Sequence, residues 1–456
     1  MISPDESNQS AATPPLAAII LAAGMGTRMR SALPKVMHKV AGRPMLAHVL
    51  AGLATLKPQR QVVVVGPGME NVATLAAPVP TAVQTDRRGT AHAVLAAMPA
   101  IGAFDGTILV TVGDAPLLRP ETYARLVKAR ADSDAGIAVL AFNAADPTGY
   151  GRMVRDAAGD LLKIVEHAEA DAATRALTLC NGGVMAFDGA ALPGWLAQIQ
   201  PNNAKGEFYL TDAVGLAARD GRRMVIVEAE EEELMGLDDR VDLAAGEAVM
   251  QGRLRRAAMV AGATLVDPAS TFFSWDTRIG RDVVIGPHVV FGPGVSVADG
   301  AEIKSFSHLE GCEVGPGAIV GPFARLRPGA VLEQDVHVGN FVEVKNTRIE
   351  AGAKANHLTY LGDARVGAKA NIGAGTITCN YDGFSKFHTD IGAGAFIGSN
   401  SALVAPIRIG DGAIVAAGST LTHDVPADAV AFGRARQSER PGVAAAFRAS
   451  RKKKKD

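Results

Sequence analysis

Hydrophobic positions follow different patterns in the two halves of this 456-residue chain. From about residue 15 to 236, short apolar runs alternate with segments whose apolar residues recur at helical spacing, as between Met45 and Leu56. Strands and helices in alternation predict a Rossmann-like α/β domain, in which helices cover a mostly parallel sheet. The predicted strands are Ala17–Ala23, Val62–Val65, Thr107–Val112, Ile137–Phe142 and Val184–Phe187.

The second half is an internal repeat of six residues. A large apolar residue at every sixth position is usually followed by glycine or another small residue, as in Ile285-Gly286. A chain that turns every six residues predicts a left-handed parallel β-helix with three flat faces and an aliphatic core. The repeat breaks at 380–388, which predicts a loop outside the coil. The repeat positions are Ile279, Ile285, Phe291, Val297, Ile303, Leu309, Val314, Val320, Leu326, Leu332, Val338, Val344, Val366, Ile372, Ile391, Ile397, Leu403, Ile409, Val415 and Leu421.

These patterns divide the chain into five segments. A region without Pro and with two glycines, Arg240–Met259, predicts one long helix between the two domains. The Lys-rich end of the chain is a block of like charges to which the sequence assigns no function. The segments are a disordered N-terminus over 1–14, the α/β domain over 15–239, a linker helix over 240–260, the hexapeptide-repeat domain over 261–437 and a C-terminal tail over 438–456.

Composition excludes several classes of protein. Lys and Arg number 46 against 47 Asp and Glu, so the basic excess of a nucleic-acid-binding protein is missing. Three widely spaced cysteines cannot form a disulfide framework, which favours the reducing cytoplasm. The apolar run Leu16–Ala23 is too short to cross a membrane, and no Lys or Arg precedes it as in a signal peptide. We therefore expect a cytoplasmic protein with no nucleic-acid partner and no membrane insertion.

A glycine-rich turn follows the first predicted strand. Leu21-Ala22-Ala23-Gly24 allows the backbone to approach a phosphate closely, and Arg28 and Lys35 add the positive charge that a triphosphate requires. The pattern is neither a Walker A loop nor a G-x-G-x-x-G motif. Asp114 ends another apolar strand, where a carboxylate can hold Mg²⁺ against phosphate oxygens. Nucleotidyl transfer needs no enzyme nucleophile, so Arg28, Lys35 and the metal are expected to provide most of the catalysis by their position and charge.

The order of these motifs resembles the sugar-phosphate nucleotidylyltransferases. With the repeat behind them, residues 16–437 resemble the bacterial bifunctional family of N-acetylglucosamine-1-phosphate uridylyltransferases and glucosamine-1-phosphate N-acetyltransferases. The resemblance rests on Leu21–Arg28, Pro34-Lys35, Gln84, Gly89-Thr90, Gly113-Asp114, Gly149–Arg152, Glu166-His167 and Asn181-Gly182.

The resemblance implies UTP, Mg²⁺ and an N-acetylated sugar phosphate as ligands of the first domain. Leu21, Ala22, Ala23, Gly24 and Lys35 would then hold the nucleotide. Asp114 and Asp238 would hold the metal, although Asp239 is an alternative because the family commonly has Asn at the first of these two positions. Val112 and Arg87 also depart from the polar or aromatic types expected near the nucleotide. Uracil would be read by Gln84, Gly89 and Thr90, and the sugar by Gly151, Glu166, Asn181 and Thr211.

The repeat domain carries polar residues that a scaffold does not need. Asn356–Asp363 and Asn371–Gly383 resemble the acetyltransferase motifs of the same family. Acetyl transfer from a thioester needs an unprotonated amine, and the imidazole of His357 can take its proton. Glu343 or Asn380 is expected to orient that imidazole, and backbone N–H groups near Ser399 to stabilise the oxyanion.

The resemblance also implies the ligands of this second site, glucosamine-1-phosphate and acetyl-CoA, and a homotrimer with active sites between subunits. Arg327 and Lys345 would bind the sugar phosphate. Acetyl-CoA would lie along Ala374, Ser399, Ala417 and Arg434. The full set of residues implied for these two ligands is Arg327, Lys345, Tyr360, Asn371, Ala374, Asn380, Tyr381, Ser399, Ala417 and Arg434.

Two alternatives remain open from the sequence. In the first, the chain is a single-activity nucleotidylyltransferase whose β-helix is structural or regulatory, against which His357, Asn371 and Asn380 argue. In the second, it is a non-catalytic scaffold, which would not require the phosphate-binding turn. The favoured reading is synthesis of UDP-N-acetylglucosamine, by acetylation of glucosamine-1-phosphate and then uridylyl transfer from UTP with release of pyrophosphate.

Overall fold

The computed structural model describes residues 15–452, so the disorder expected for residues 1–14 lies outside the described part of the chain. The chain divides into two compact units at the Arg253–Leu254 bond. That bond lies inside the long helix α8, which spans Arg240–Val260. Across residues 15–452, no helix combines the length and the apolar character that crossing a membrane requires.

The first unit is built on a mixed, mostly parallel sheet. Its strand order is β11-β7-β10-β6-β1-β4-β5, in which only β10 runs antiparallel to its neighbours on this path, and the β8–β9 hairpin is attached to β10. A small two-stranded sheet, β2–β3, precedes the first helix. The strands are β1 Leu16–Leu21, β2 Lys39–Val40, β3 Arg43–Pro44, β4 Arg60–Val65, β5 Thr81–Val83, β6 Thr107–Val112, β7 Ile137–Asn143, β8 Arg152–Arg155, β9 Leu161–Val165, β10 Leu179–Asp188 and β11 Met224–Glu228.

Helices cover both faces of this sheet. In β1, Ala17 and Ile19 face one apolar core while Ala18 and Ile20 face another, as expected for a strand buried on both sides. The carboxyl ends of β1 and β6 are in register at Leu21 and Val112, which places the glycine-rich turn beside Asp114. The helices of this unit are α1 Met45–Ala54, α2 Glu70–Ala76, α3 Thr90–Ile101, α4 Pro120–Asp132, α5 Ala172–Arg175, α6 Leu192–Leu196 and α7 Asp212–Arg219.

The second unit is a parallel β-helix, which confirms the predicted fold class. Short strands of successive coils pair in three columns, and Glu343–Ile349 and Tyr360–Val366 bend from one column into the next. The first column contains Thr264–Leu265, Val284–Ile285, Glu302–Ile303, Ile319–Val320, His337–Asn340, Lys354–His357, Asn371–Ile372, Phe396–Ile397, Ile414–Val415 and Val430–Ala431. The second contains Arg278–Ile279, Ser296–Val297, Glu313–Val314, Val331–Leu332, Thr389–Ile391 and Ile407–Ile409. The third contains Val290–Phe291, His308–Leu309, Arg325–Leu326, Ile377–Cys379, Ala402–Val404 and Thr420–Leu421.

The apolar repeat forms the interior of this prism. Every repeat position is buried except Ile279, which is half-buried near the first coil. A second inward set of small residues, which the sixfold pattern did not include, is also buried; it contains Ala301, Ala318, Ala330, Ala353, Ala370, Ala395 and Ala413. Beyond the last coil lies a short helix, α9, over Val443–Lys452.

The predicted break in the repeat is a projecting loop. Ile372 pairs with Ile397 across it, and a bridge between Tyr381 and Lys386 closes the loop on itself. Phe384 at its tip is 94% exposed, so the loop lies outside the coil as the sequence predicts.

Candidate active sites

A cavity of about 590 Å³ opens at the carboxyl ends of the central strands of the first unit. This is where ligands bind in sheets of this kind. Ten residues that the sequence analysis selected line it: Leu21, Ala22, Ala23, Gly24, Lys35, Gln84, Gly89, Thr90, Asp114 and Glu166.

The two glycines of the turn have different roles. A Cβ built on Gly24 would meet no atom within 4 Å, so this position leaves room for a ligand. Gly26 has φ +65°, and its Cβ would lie 2.4 Å from the Cβ of Lys35. Gly26 therefore does not widen the cavity; it allows Lys35 to pack against the turn.

The ammonium of Lys35 lies between two carboxylates. Its Nζ is 2.6 Å from Oδ1 of Asp238 and also forms an ion pair with Asp114. Burial lowers the pKa of Lys35, but the charge of Asp114 and the hydrogen bonds to both carboxylates outweigh it and raise that pKa. Nη2 of Arg28 lies 2.8 Å from Oδ2 of Asp238. The first unit therefore brings together the proposed catalytic cations and the proposed metal ligands.

The geometry distinguishes Asp238 from Asp239. Oδ1 of Asp239 accepts hydrogen bonds from the backbone N–H groups of Val241 at 2.7 Å and Asp242 at 3.0 Å, at the start of α8. In return, Oδ2 of Asp242 accepts from the N–H groups of Asp238 and Asp239. This reciprocal arrangement caps the helix. Asp239 is occupied as a cap, whereas Asp238 faces Lys35.

The donor set fits Mg²⁺ bound together with a nucleotide. Among residues 15–452 no group of three or more Asp, Glu, His or Cys side chains could enclose a metal ion. Two carboxylates, Asp114 and Asp238, nevertheless converge on Lys35 beside the open Gly24 position. Mg²⁺ is usually held by one or two carboxylates, with substrate phosphates and water as its other ligands.

Hydrogen bonds to a neighbouring backbone segment hold the predicted uracil-reading residues in place. The N–H of Phe208 donates to the carbonyl of Arg88, and the hydroxyl of Thr90 accepts from the N–H of Leu210 at 2.9 Å. Gly89 has φ +111°, and its Cβ would lie 2.5 Å from the Phe208 carbonyl oxygen, so only glycine fits. Nε2 of Gln84 donates to the carbonyl of Gly89 at 3.0 Å.

The predicted sugar-contacting residues also lie together. The hydroxyl of Thr211 donates to Oε1 of Glu166 at 3.0 Å, and the N–H of Asn181 donates to the carbonyl of Gly151 at 2.8 Å. A Cβ on Gly151 would lie 3.5 Å from Oε2 of Glu166. Of these four residues, Glu166 lines the cavity and the other three do not, although Thr211 and Gly151 lie against Glu166.

Two arginines at this site were given no role by the sequence analysis, although Arg152 belongs to the Gly149–Arg152 motif. The guanidinium of Arg152 is almost fully buried, at 1% exposure, and donates to the carbonyls of Tyr150 and Arg175. It thereby fastens the Tyr150-Gly151 segment. Arg87, noted only as a departure from the family, lines the cavity and donates from Nε to the carbonyl of Ala23 at 2.7 Å. A charged residue directly after Gly149-Tyr150-Gly151 was the available signal for Arg152.

The second site contains an imidazole with one defined partner. Nδ1 of His357 lies 2.8 Å from Oδ1 of Asn340, its neighbour in register on the preceding coil. The expectation that Glu343 or Asn380 orients this ring is wrong for the described chain. Glu343 accepts from Arg327 at 2.7 Å, and Asn380 donates to Asp363 at 2.5 Å. Since an amide oxygen only accepts, Asn340 selects the tautomer with the proton on Nδ1 and leaves Nε2 as the basic atom.

A cationic cluster lies beside this imidazole motif. Asp363 accepts hydrogen bonds from Asn346 and Asn380 and pairs with Lys345 at 3.6 Å. Hydrogen bonding and charge repulsion from Lys345 lower the pKa of Lys386, which comes from the projecting loop. Three cations, Arg327, Lys345 and Lys386, therefore gather here around two carboxylates, an arrangement suited to a phosphate monoester.

The residues implied for acetyl-CoA form a column on successive coils. The carbonyl of Ala374 accepts from the N–H of Asn400, and that of Ser399 accepts from the N–H of Gly418. A Cβ on Gly398 would lie 2.4 Å from the backbone nitrogen of Ala417, and Arg434 lies next to Gly418. The small side chains thus form a smooth strip with a guanidinium at its end.

The remaining predicted residues lie around this centre. A Cβ on Gly362 would lie 2.3 Å from the hydroxyl oxygen of Tyr360, so the Tyr360 ring covers that glycine. Asn371 is paired between Lys354 and Phe396 in the first column. Tyr381 pairs with Lys386 of the cationic cluster through the backbone, but Tyr381 is 60% exposed and its hydroxyl donates to Gly383 within the loop.

Comparisons with known proteins match both units. Residues 18–178 match the model of the MobA-like NTP transferase domain. Residues 276–311 and 388–423 match the bacterial transferase hexapeptide model of six repeats. The bifunctional protein GlmU of Paramagnetospirillum magneticum is 57% identical over 96% of this chain and 98% of its own length, and that of Rhodospirillum rubrum is 60% identical over 95% and 97%.

The chain belongs to the GlmU family. It is accordingly a bifunctional enzyme that combines uridylyl transfer and acetyl transfer in the synthesis of UDP-N-acetylglucosamine, which confirms the reading made from the sequence. Its substrates are small molecules, nucleotides among them. GlmU of Zymomonas mobilis is also similar, at 50% identity over 96% of this chain and 99% of its own length.

Proposed function

We propose that the cavity of the first unit binds UTP, Mg²⁺ and N-acetylglucosamine-1-phosphate for uridylyl transfer. The observation that carries this proposal is the position of Lys35, whose ammonium joins Asp114 and Asp238 next to the open Gly24 turn. Backbone N–H groups of the turn suit the triphosphate, and the two carboxylates suit the metal. Bound Mg²⁺ would neutralise charge on the phosphates during the reaction.

The transfer needs no covalent intermediate with the enzyme. A phosphate oxygen of the sugar phosphate attacks the α-phosphorus of UTP, and the bond to the bridging oxygen breaks as pyrophosphate leaves. Arg28 and Lys35 hold positive charge near the oxygens on which negative charge grows. Gln84, Gly89 and Thr90 contact the uracil, while Gly151, Glu166, Asn181 and Thr211 hold the acetylated sugar.

In the second unit we assign the general base to Nε2 of His357. It takes a proton from the amine of glucosamine-1-phosphate as the amine nitrogen attacks the thioester carbon of acetyl-CoA. The carbon–sulfur bond breaks, and the proton passes to the leaving thiolate. Asn340 holds the ring in the tautomer that this step requires, which the 2.8 Å contact with Nδ1 supports.

The positions proposed for the ligands of the acetyl-transfer step are based on the charged side chains of this site. Arg327 and Lys345, with Lys386 from the loop, bind the phosphate of glucosamine-1-phosphate. Acetyl-CoA lies along Ala374, Ser399 and Ala417, and Arg434 meets one of its phosphates. Tyr360, Asn371, Asn380 and Tyr381 complete the set.

The assembly and setting of the enzyme are part of the same proposal. We infer a homotrimer because hexapeptide-repeat acyltransferases form sites between subunits, and the strip from Ala374 to Ala417 is open along one side of the described chain. Acetylation precedes uridylyl transfer because the second reaction uses the acetylated sugar. The absence of a disulfide framework among the three free cysteines supports a cytoplasmic enzyme.

A split assay tests both assignments. His357→Ala should abolish acetyl transfer and spare uridylyl transfer, and Lys35→Ala should do the reverse. Normal acetyl transfer by His357→Ala would contradict the assignment of the base. Turnover with UTP, dTTP and ATP in parallel tests the uracil preference, and comparable rates with all three would contradict the roles given to Gln84, Gly89 and Thr90.

A further inference from the structure

An exposed segment that includes a short helix follows the last coil. Every described residue from Arg434 to Lys452 is exposed, and α9 lies within this segment. The hydrogen bonds of its side chains are local, as from Gln437 to Glu439 and from Ser450 to the carbonyl of Phe447. The β-helix therefore ends before α9, and no residue of this helix is buried by the rest of the described chain.

One face of α9 is apolar and the other is basic. Val443, Ala446 and Phe447 lie three and four residues apart and share a face, on which Val443 is 54% and Phe447 59% exposed. Arg448 and Lys452 project from the other side. The guanidinium of Arg451 lies 5.2 Å from the centre of the Phe447 ring, at the boundary between the two faces. Such a helix suits a surface that has anionic groups on the outside and an apolar layer beneath them.

Charge is concentrated in the same segment. Residues 434–456 contain nine Arg and Lys against two acidic residues, a formal charge of +7. The whole chain has a formal charge of -1, so residues 1–433 carry -8. Residues 1–433 are therefore acidic by net charge and the end of the chain is strongly basic, so attraction to a negatively charged surface is greatest at that end.

We propose that α9 and its basic flanks bind the surface of an anionic phospholipid bilayer. Phe447 and Val443 enter the boundary between headgroups and acyl chains, and the Arg and Lys side chains contact lipid phosphates. The helix lies on the membrane and does not cross it. The exposed apolar face favours this ligand over a nucleic acid, because a phosphate backbone offers nothing for Val443 and Phe447 to enter.

Co-sedimentation with vesicles tests the proposal on the full-length protein. Vesicles of phosphatidylcholine with one third phosphatidylglycerol should bind at least about tenfold more tightly than pure phosphatidylcholine. This binding should weaken about tenfold or more when salt is raised from about 0.05 M to about 0.5 M. In a Phe447→Trp variant, the added tryptophan emission should shift to the blue with the anionic vesicles alone.

Matched variants separate local charge from overall charge. Replacing Lys452, Lys453, Lys454 and Lys455 together by Gln should weaken vesicle binding about tenfold or more. Replacing four exposed cations elsewhere, Lys57, Arg125, Arg219 and Lys369, by Gln removes the same charge and should leave binding unchanged. Both enzymatic activities serve as the folding control, since neither set includes a residue assigned to a site.

Three results would overturn the proposal. The first is equal vesicle binding by the wild type and the quadruple Lys variant. The second is that Phe447→Ser binds both anionic vesicles and a DNA duplex as tightly as the wild type, which would make the segment a general polyanion site. The third is a lower assembly mass for Phe447→Ser in light scattering with no vesicle binding by the wild type, which would mean that a second copy covers the helix.

Discussion

Oδ1 of Asn340 lies 2.8 Å from Nδ1 of His357, one coil further along the β-helix. The contact makes the side chain of one coil the partner of the functional group of the next. A substitution of Asn340 can therefore change the protonation of the imidazole while His357 itself is kept.

We expect Asn340→Ala to lower kcat for acetyl transfer by roughly tenfold to a hundredfold, because the ring loses its fixed tautomer. Asn340→Asp places a carboxylate beside Nδ1, which stabilises the imidazolium relative to the neutral ring. Since only the neutral ring accepts a proton, the acidic limb of the acetyl-transfer pH profile should move to higher pH. Steady-state kinetics across pH measure both effects.

Uridylyl transfer and the exposed Gln334→Leu variant are the controls for this experiment. Both should show wild-type values, since the exposed side chain of Gln334 donates to the adjacent Asp335 and not to His357. An Asn340→Asp profile that coincides with the wild type would show that this contact does not govern the base.

Lys35 should compete with the metal in the absence of nucleotide. Its ammonium pairs with both Asp114 and Asp238, so a cation that enters must displace it. We expect Lys35→Met to bind Mn²⁺, used as a paramagnetic substitute for Mg²⁺, about tenfold more tightly than the wild type without UTP. Uridylyl transfer by the same variant should nevertheless fall by at least about a hundredfold.

Electron paramagnetic resonance of free Mn²⁺ measures that affinity. Weaker Mn²⁺ binding by Lys35→Met would contradict the competition, and unchanged binding would place the metal elsewhere. Arg87→Met provides the comparison, because Arg87 lines the same cavity but donates to the carbonyl of Ala23.

Asp238 and Asp239 should give opposite phenotypes. Asp238→Asn should raise the Mg²⁺ concentration needed for half-maximal uridylyl transfer by about tenfold or more. Asp239→Ala should leave that concentration unchanged but lower the free energy of unfolding by about 1 kcal/mol, because α8 loses its cap. A metal-binding defect in Asp239→Ala alone would reverse the assignment.

The stability contribution of Asp238 should depend on pH. Burial raises the pKa of Asp238, but the hydrogen bonds and charges of Lys35 and Arg28 outweigh it and lower the pKa overall. A lowered carboxyl pKa contributes stability that is complete above the unfolded value of about 3.9 and is lost as the pH falls through the folded value. Its side chain is 35% exposed, so the difference between wild type and Asp238→Asn should be no more than about 1 kcal/mol at neutral pH. Urea unfolding at several pH values should show that difference shrinking below about pH 4.

Arg152 should act on sugar binding through the Tyr150-Gly151 segment. Arg152→Met keeps most of the volume but leaves the carbonyls of Tyr150 and Arg175 without their donor. We expect the KM for N-acetylglucosamine-1-phosphate to rise about tenfold, with a smaller change for UTP, and a stability loss of about 1–3 kcal/mol. Arg155→Met, at an exposed position on the same strand, is the matched control. Equal rises in both KM values would indicate general destabilisation rather than positioning.

The sequence predicted the fold where periodicity alone determines it. Residues such as Ile285 and Val320 repeat every sixth position because each must fill the same interior, and the structure buries them. The strand Thr107–Val112 was predicted with its correct bounds, since it is centred on an apolar run and is buried on both faces. The inward alanines escaped prediction because a small side chain carries little hydrophobic contrast.

Contacts between side chains that are far apart in the sequence were harder to predict. Asn340 is separated from His357 by nearly a full coil, and the choice among Asn340, Glu343 and Asn380 depends on which side chain faces which column. Arg327 and Asp363 engage Glu343 and Asn380, and only the register of the coils reveals this. The role of Asp239 depended similarly on where α8 begins.

The loop at 380–388 leaves the stacking of the coils intact, because Val366 pairs with Ile391 and Ile372 with Ile397 on either side of it. Its length and composition can therefore vary without shifting the coils above or below. Lys386 reaches the cationic cluster from this loop. Replacing the loop by one of different sequence can therefore alter the preference for the sugar-phosphate acceptor while the β-helix stays unchanged.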